Sequence, residues 1–144
     1  MRENLENALG EAVEIAAKAG FTLLLEPLNT LVDHAGYYLD STAEAAEIIR
    51  GINSPRLRLL YDVYHMQIME GKVIATIERN IDIIGHFHSA GVPGLAELFD
   101  TELNYPAIVK RIDALGYQGC FGLEYFPRMA DHAASLEAIR RHLA

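Results

Sequence analysis

The chain opens with a helical pattern of apolar positions that gives way to a short, continuous apolar run. Apolar residues recur every three or four positions from Leu5 to Ala19, as on one face of a helix, and Gly20 follows as a C-terminal stop. The run Phe21–Glu26 has no alternation and is closed by Pro27. Such a run suits a strand that is buried on both faces, as in a parallel sheet. The pattern therefore predicts a helix followed by a parallel strand.

The same order of elements recurs along the rest of the chain. Ser41 and Glu44 form a capping box, which predicts the start of a helix that ends at Gly51. Further elements are predicted as strands at 57–62, 83–88 and 120–125, and as helices at 71–80, 104–116 and 131–143. The predicted order is α-(βα)₄, an α/β parallel sheet with right-handed crossovers in a single domain, residues 1–144.

For two residues of the predicted strands, the sequence also predicts where the side chain lies. His86 is expected to point away from His88 and to pack against a helix. Cys120, near the start of the fourth strand, is expected to be a small buried residue, because no activating base accompanies it in the sequence.

Two parallel architectures compete for this order of elements, a doubly wound open sheet and a (β/α)₈ barrel. A doubly wound nucleotide-binding sheet has a glycine-rich turn after its first strand, whereas the turn here runs from Glu26 to Asn29 without glycine. Each predicted strand instead ends on a side chain that can bind metal, and barrel enzymes collect such groups at their strand ends. A full barrel needs about 250 residues. The sequence therefore indicates half of a (β/α)₈ TIM barrel.

The residues that end the four predicted strands are the main chemical signal: Glu26, Asp62, His88 and Glu124. Neighbouring parallel strands lie about 4.8 Å apart, so the four side chains can converge on one point. Three carboxylates at close range repel one another unless a cation lies between them. Carboxylate oxygens with one imidazole nitrogen suit Mn²⁺, Mg²⁺ or Co²⁺ better than a structural Zn²⁺. A divalent metal site is predicted; the alternative is a structural domain whose polar strand ends hold only water.

Composition narrows the classes of function. The 144 residues include 12 Lys or Arg and 20 Asp or Glu, for a net charge of −8, whereas nucleic-acid binding needs clustered basic side chains. The single cysteine excludes an internal disulfide framework and fits a reducing compartment. No apolar run approaches the roughly 18 residues of a membrane span, and the N-terminus has no signal-peptide core. We expect a cytoplasmic protein that binds neither nucleic acid nor membrane.

Several segments together resemble one group of enzymes. They are Leu25–Asn29, Tyr61–Gly71, Gly85–His88, Glu102–Tyr105 and Gly116–Arg128. In order and spacing these segments are similar to hydroxypyruvate isomerases and the related ketose 3-epimerases, within the xylose-isomerase-like barrel superfamily. The resemblance runs from Gly20 onward and matches only the C-terminal half of those proteins. It implies a small sugar or keto-acid substrate and proton transfer next to a carbonyl through an enediolate.

The resemblance also implies roles for single residues. Glu26, Asp62, His88 and Glu124 fall on the family's four metal ligands, and Glu26 and Glu124 would be the two catalytic acid–base groups. His65, three residues after Asp62, would contact a substrate oxygen near the metal. His88 matches the epimerases, whereas hydroxypyruvate isomerases tend to have Gln at that position.

One departure from the family concerns the substrate. Relatives usually have an Arg in a Pro-Gly-Arg-x-Glu stretch after the third strand, and here Leu95 stands in its place. Leu cannot form the paired hydrogen bonds that Arg gives to an anionic substrate. A neutral ketose or keto-polyol therefore stays open as the substrate beside hydroxypyruvate.

A half-barrel has a further consequence for assembly. Four open strands would expose two sheet edges and an apolar inner face, which favours association. We therefore expect a homo-oligomer or pairing with an N-terminal half-barrel. An inactive or partner-requiring half-barrel is the remaining alternative to an isomerase that is active alone.

Overall fold

A parallel three-stranded sheet organises the chain, in the order β1-β2-β3. The computed structural model describes all residues, Met1–Ala144. Its strands are β1 (Leu23–Leu25), β2 (Leu57–Asp62) and β3 (Ile84–His88). Its helices are α1 (Arg2–Ala19), α2 (Thr42–Ile52), α3 (Val63–Met69), α4 (Val73–Asn80), α5 (Tyr105–Ala114) and α6 (His132–Leu143). The prediction of an α/β fold with a parallel sheet is confirmed.

Helix starts and stops follow the local signals in the sequence. The side chains of Ser41, Asn104 and Asp131 each accept a backbone N–H from the first turn of the helix that follows. Gly20 ends α1 with a φ of 79°, in the left-handed region, and its N–H donates to the carbonyl of Ala16. These contacts involve residues a few positions apart, which is why the sequence predicts them well.

Helix α3 is absent from the sequence prediction. It has seven residues and follows β2 without a loop. Asp62 begins it, because its Oδ1 accepts the N–H groups of Tyr64 (2.7 Å) and His65 (3.1 Å). A helix of two turns shows no sustained apolar period, so only the cap could have revealed it.

The prediction of a regular fourth strand at 120–125 is wrong in detail. The segment lies beside β3 but pairs with it through a single bridge, Phe87 to Phe121. Phe87 N–H to Cys120 O (3.3 Å) and Gly122 N–H to Phe87 O (2.7 Å) form this bridge, and Glu124 N–H to Ser89 O (3.1 Å) continues the parallel pattern. No strand lies on the other side of the segment, so its remaining backbone groups have no partner strand there. Cys120 is consequently exposed and not buried as expected.

The two faces of the sheet differ in their surroundings. Leu57, Leu59 and Tyr61 of β2 belong to the core that packs against the helices and are at most 1% exposed. The other face is open: Leu24 on β1 is 42% exposed and lies beside Gly85 on β3. Helices therefore cover one side of the sheet, while the side that would face a barrel interior is uncovered.

Candidate metal centre

The four strand-end residues meet above the carboxyl edge of the sheet. Glu26 follows β1, Asp62 and His88 end β2 and β3, and Glu124 lies in the bridged segment beside β3. One potential ligand atom from each residue lies within 4.8 Å of the others. The structure thus brings together the four residues predicted from the sequence, and their binding of a metal stays a prediction.

Unpartnered polar atoms at the centre fit a cation. His88 Nδ1 lies 2.7 Å from Glu124 Oε2, 3.8 Å from Glu26 Oε1 and 4.0 Å from Asp62 Oδ2. His88 Nδ1 and Glu26 Oε1 are nonetheless buried atoms without a hydrogen bond of acceptable geometry. A buried polar atom without a partner costs free energy, and an ion bound between these atoms would serve both. The donor set therefore suits a divalent cation.

The protonation of the carboxylates supports this conclusion. Burial, together with the negative charges of Asp62 and Glu124, raises the pKa of Glu26 to about 7. Burial also raises the pKa of Asp62, although His65, the hydrogen bonds from α3 and His88 oppose the shift. Without a positive ion the carboxylates resist joint ionisation, and a cation removes that repulsion.

Asp62 is held by the helix that it caps. Its Oδ1 accepts the two N–H groups at the start of α3, and its side chain is 2% exposed. Its Oδ2 is the atom that faces His88 and His65, at 4.0 Å from a ring nitrogen of each. Oδ1 of Asp62 therefore caps α3, and Oδ2 is left to face the candidate metal site.

His65 lies next to the centre, as the resemblance implies. Its Nε2 is the ring nitrogen nearest Asp62, and its Nδ1 accepts the backbone N–H of Asn29 at 3.2 Å. Burial lowers the pKa of His65, although the charge of Asp62 opposes the shift. Asn29 is fully buried and was missed by the sequence analysis. Its place two residues after Pro27 gives no signal of a contact with α3.

The expectation that His86 faces away from His88 is wrong. The two rings lie 5.0 Å apart, edge to face, because strand residues two positions apart share a side. Gly122 allows this packing, since a Cβ there would lie 2.9 Å from His86 Nε2 and 3.0 Å from His88 Cδ2. Burial, and then the charge of His88, lowers the pKa of His86. His86 therefore supports the ring of His88 from the barrel side.

A cavity of about 650 Å³ opens beside the centre. It is lined by Glu26, Leu28, Asp33, His34, His65, Leu95, Leu123, Glu124, Tyr125 and Phe126. These ten residues include no Lys or Arg. Arg128, which follows the lining segment, directs its guanidinium to the carbonyl of Pro93 at 3.0 Å. No basic side chain therefore replaces the family Arg within this cavity.

Glu97 holds the segment that follows Glu124. Its carboxylate is 4% exposed and accepts the N–H groups of Arg128 and Met129 and the hydroxyl of Ser135. Burial alone would raise the pKa of Glu97, but these hydrogen bonds outweigh burial and lower it to about 2. The carboxylate of Glu97 thus ties the start of α6 and the segment before it to the loop after β3.

Comparison with known proteins agrees with this geometry. The model of one family, described as a xylose isomerase-like TIM barrel, matches residues 1–142. The chain belongs to the xylose isomerase-like TIM barrel family.

Named relatives of this TIM barrel are isomerases and epimerases. The chain is 42% identical to 2-oxo-tetronate isomerase of Cupriavidus necator over 129 residues, which are 90% of this chain and 49% of the relative. It is 35% identical to hydroxypyruvate isomerase of Escherichia coli over 122 residues, 85% of this chain and 47% of the relative. The crystal structure of Escherichia coli 3-keto-D-glucoside 4-epimerase superposes with a TM-score of 0.85 at 28% identity, covering 97% of this chain and 53% of that one.

The extent of these matches explains the open face of the sheet. The chain spans about half the length of the curated relatives it matches. In this half of a TIM barrel the outer edge of β1 has no strand beside it. Leu123 (38% exposed) and Phe126 (74% exposed) lie near the other edge.

None of the helices is long and apolar enough to cross a lipid bilayer.

Proposed function

We propose that the protein is a divalent-metal-dependent isomerase of a small sugar or keto-acid, similar to hydroxypyruvate isomerase. The observation that carries this proposal is the convergence of Glu26, Asp62, His88 and Glu124 beside a cavity of about 650 Å³. A cavity of this size holds a small ligand, and the four side chains offer a donor set for Mn²⁺, Mg²⁺ or Co²⁺. The names of the isomerase relatives support the same reaction class.

The proposed reaction moves a proton between carbons next to a carbonyl group. A divalent ion held by the four ligands would polarise the carbonyl and stabilise the negative charge that develops on its oxygen. Glu26 and Glu124 both line the cavity, so one carboxylate can remove the proton from carbon and the other can return one. Return to the former carbonyl carbon, with a second proton passing from the neighbouring hydroxyl to the former carbonyl oxygen, gives isomerisation. Return to the original carbon from the opposite side gives epimerisation. His65 would bind a substrate oxygen beside the ion.

Replacement of Glu124 tests the acid–base role. Glu124→Gln keeps an oxygen for the ion but cannot take up a proton, so we expect loss of turnover with Mn²⁺ still bound. The exposed Glu14, which forms no side-chain contact with the site, provides the control Glu14→Gln. Assays should cover hydroxypyruvate, 2-oxo-tetronate and a panel of ketoses. Full activity of Glu124→Gln would refute the role, and absence of bound metal after incubation with Mn²⁺ would refute the site.

A ketose 3-epimerase or keto-polyol isomerase is the second candidate. Leu95 lines the cavity and no Lys or Arg does, which favours an uncharged substrate. We expect Leu95→Arg to raise kcat/KM for carboxylate substrates relative to neutral ketoses by about 10- to 100-fold, since charge-assisted hydrogen bonds contribute roughly 1.5–3 kcal/mol. Leu95→Met is the matched control. An unchanged ratio in Leu95→Arg would show that the substrate carboxylate does not approach this position.

We further propose that the open face of the sheet is covered in the working protein. Its occupant is a second copy of the chain, in a homo-oligomer, or an N-terminal half-barrel. The exposed side chains of Leu24, Leu123 and Phe126 and the unpaired edge of β1 support this proposal. Light scattering of the purified chain is expected to report a species heavier than 16.0 kDa. A monodisperse monomer that turns over substrate would refute the requirement for a partner, whereas a monomer that binds Mn²⁺ without turnover would indicate a partner-requiring half.

A further inference from the structure

The imidazole of His65 makes its hydrogen bonds with a single residue of the loop after β1. His65 is 6% exposed, and its Nδ1 lies 3.2 Å from the backbone nitrogen of Asn29 and 2.7 Å from the side-chain Nδ2 of Asn29. A backbone N–H can only donate, so Nδ1 must be the acceptor of that bond. The backbone contact therefore favours an Nδ1 without a proton, and the shorter side-chain contact does the same where Asn29 presents its NH₂ group.

The orientation of the Asn29 amide is determined by its other partners. Its Oδ1 accepts the backbone N–H groups of Val32 (3.1 Å) and Asp33 (2.9 Å). Its Nδ2 donates to Asp33 Oδ2 at 2.7 Å. A turned amide would direct its NH₂ group at two N–H donors and its oxygen at a carboxylate, so only one orientation is compatible. The same Asp33 oxygen accepts the hydroxyl of Tyr64 (2.8 Å), which ties the loop to α3.

The tautomer of His65 follows from these contacts. With Nδ1 as an acceptor, the proton of the neutral ring is on Nε2, the nitrogen on the side of Asp62 Oδ2 (4.0 Å). An Nε2–H group donates to a carbonyl or hydroxyl oxygen in the cavity and stabilises the negative charge that develops there. The opposite tautomer would present a lone pair and repel that charge.

We propose that Asn29 is a positioning residue that holds His65 as the Nε2–H tautomer, ready to donate a hydrogen bond to the substrate. The consequence for turnover rests on the proposed isomerase function. The tautomer itself rests only on contacts within the chain.

The test replaces the side-chain donor that faces Nδ1 of His65 with an acceptor, while the loop after β1 keeps its other hydrogen bonds. Asn29→Asp retains Oδ1 for the two N–H groups of the turn and replaces the NH₂ donor with a charged acceptor. The backbone N–H of residue 29 still meets Nδ1 at 3.2 Å, but the carboxylate takes the place of the shorter contact of 2.7 Å, so we expect it to draw the ring proton to Nδ1. Combining it with Asp33→Asn restores a donor–acceptor pair between positions 29 and 33. Asp33→Asn alone is the matched control, since Asn29 can still donate to the amide oxygen.

Two-bond ¹H–¹⁵N correlation spectra of the histidine rings distinguish the tautomers without any assay of activity. We expect Nε2–H for His65 in the wild type and in Asp33→Asn, and Nδ1–H in the double variant. A wild-type ring with its proton on Nδ1 would overturn the proposal even if no variant folds. An unchanged Nε2–H tautomer in a folded double variant would show that the backbone N–H alone sets it, and would overturn the role of the Asn29 side chain.

Kinetics separate this proposal from the function on which it rests. If the chain is an isomerase, the double variant should lose kcat by about 100-fold with a much smaller change in KM, the effect of removing one donor to a developing oxyanion. Because Asp33 lines the cavity, the comparison is with Asp33→Asn alone, whose kcat should exceed that of the double variant by about this factor. If no substrate is turned over but the tautomers are as expected, the proposed function fails and the positioning role of Asn29 stands.

Discussion

Lowering the pH from 8 to 6 should weaken Mn²⁺ binding, because a proton and the ion compete for the carboxylate of Glu26. Burial and the charges of Asp62 and Glu124 hold the pKa of Glu26 at about 7. Below that pH the ion must displace a proton, and above it the carboxylate is free. The fraction ionised falls from about nine-tenths to about one-tenth over this range, which corresponds to a roughly 10-fold loss of affinity, or about 1.4 kcal/mol. Metal affinity is therefore retained above pH 7 and lost as the pH falls through it.

Isothermal titration of the metal-free chain with Mn²⁺ at both pH values measures this loss. Other groups at the centre also take up protons, so the decisive quantity is the comparison with Glu26→Gln. Glu26→Gln should bind Mn²⁺ more weakly than the wild type at each pH. Because it has no carboxyl proton to displace at position 26, its affinity should not show the additional 10-fold loss between pH 8 and pH 6. Glu14→Gln should behave as the wild type. If the wild type and Glu26→Gln show the same ratio of Mn²⁺ affinities between pH 8 and pH 6, the reasoning is refuted: Glu26 then either does not bind the ion or has no raised pKa.

Three further substitutions test the support around the centre. Glu97→Ala removes the charged acceptor of three hydrogen bonds and should lower the free energy of unfolding by about 3 kcal/mol in urea titrations, whereas Glu14→Ala should leave it unchanged. Tyr105→Phe removes a buried hydroxyl that accepts the N–H of Ala90 and donates to its carbonyl. The free energy of unfolding should fall by about 1–3 kcal/mol in the same assay. Gly122→Ala places a methyl group 3.0 Å from the ring of His88, so Mn²⁺ affinity should fall while the far-ultraviolet circular dichroism stays unchanged; unaltered binding would contradict the close packing of this segment.

Signals confined to a few neighbouring residues were sufficient for most of the fold and for the outline of the site. The helix starts at Ser41, Asn104 and Asp131 depend on side chains that bond N–H groups two or three positions ahead, so the sequence contains both partners. The four strand-end residues were found because a parallel sheet places every strand's carboxyl end at one edge. To apply this rule one needs only the order of helices and strands along the chain, and not how they pack.

The tertiary structure decided the features that depend on residues far apart in the chain. The segment at Glu124 has the composition of a strand, but its ladder depends on how it meets β3, about 35 residues earlier, and only one bridge forms there. The tautomer of His65 depends on Asn29, 36 residues earlier, and the sequence contains no trace of which ring nitrogen meets that loop. Short-range hydrogen bonds can thus be predicted from neighbouring residues, whereas the pairing of the segment at Glu124 and the proton on His65 depend on residues that only the fold brings together.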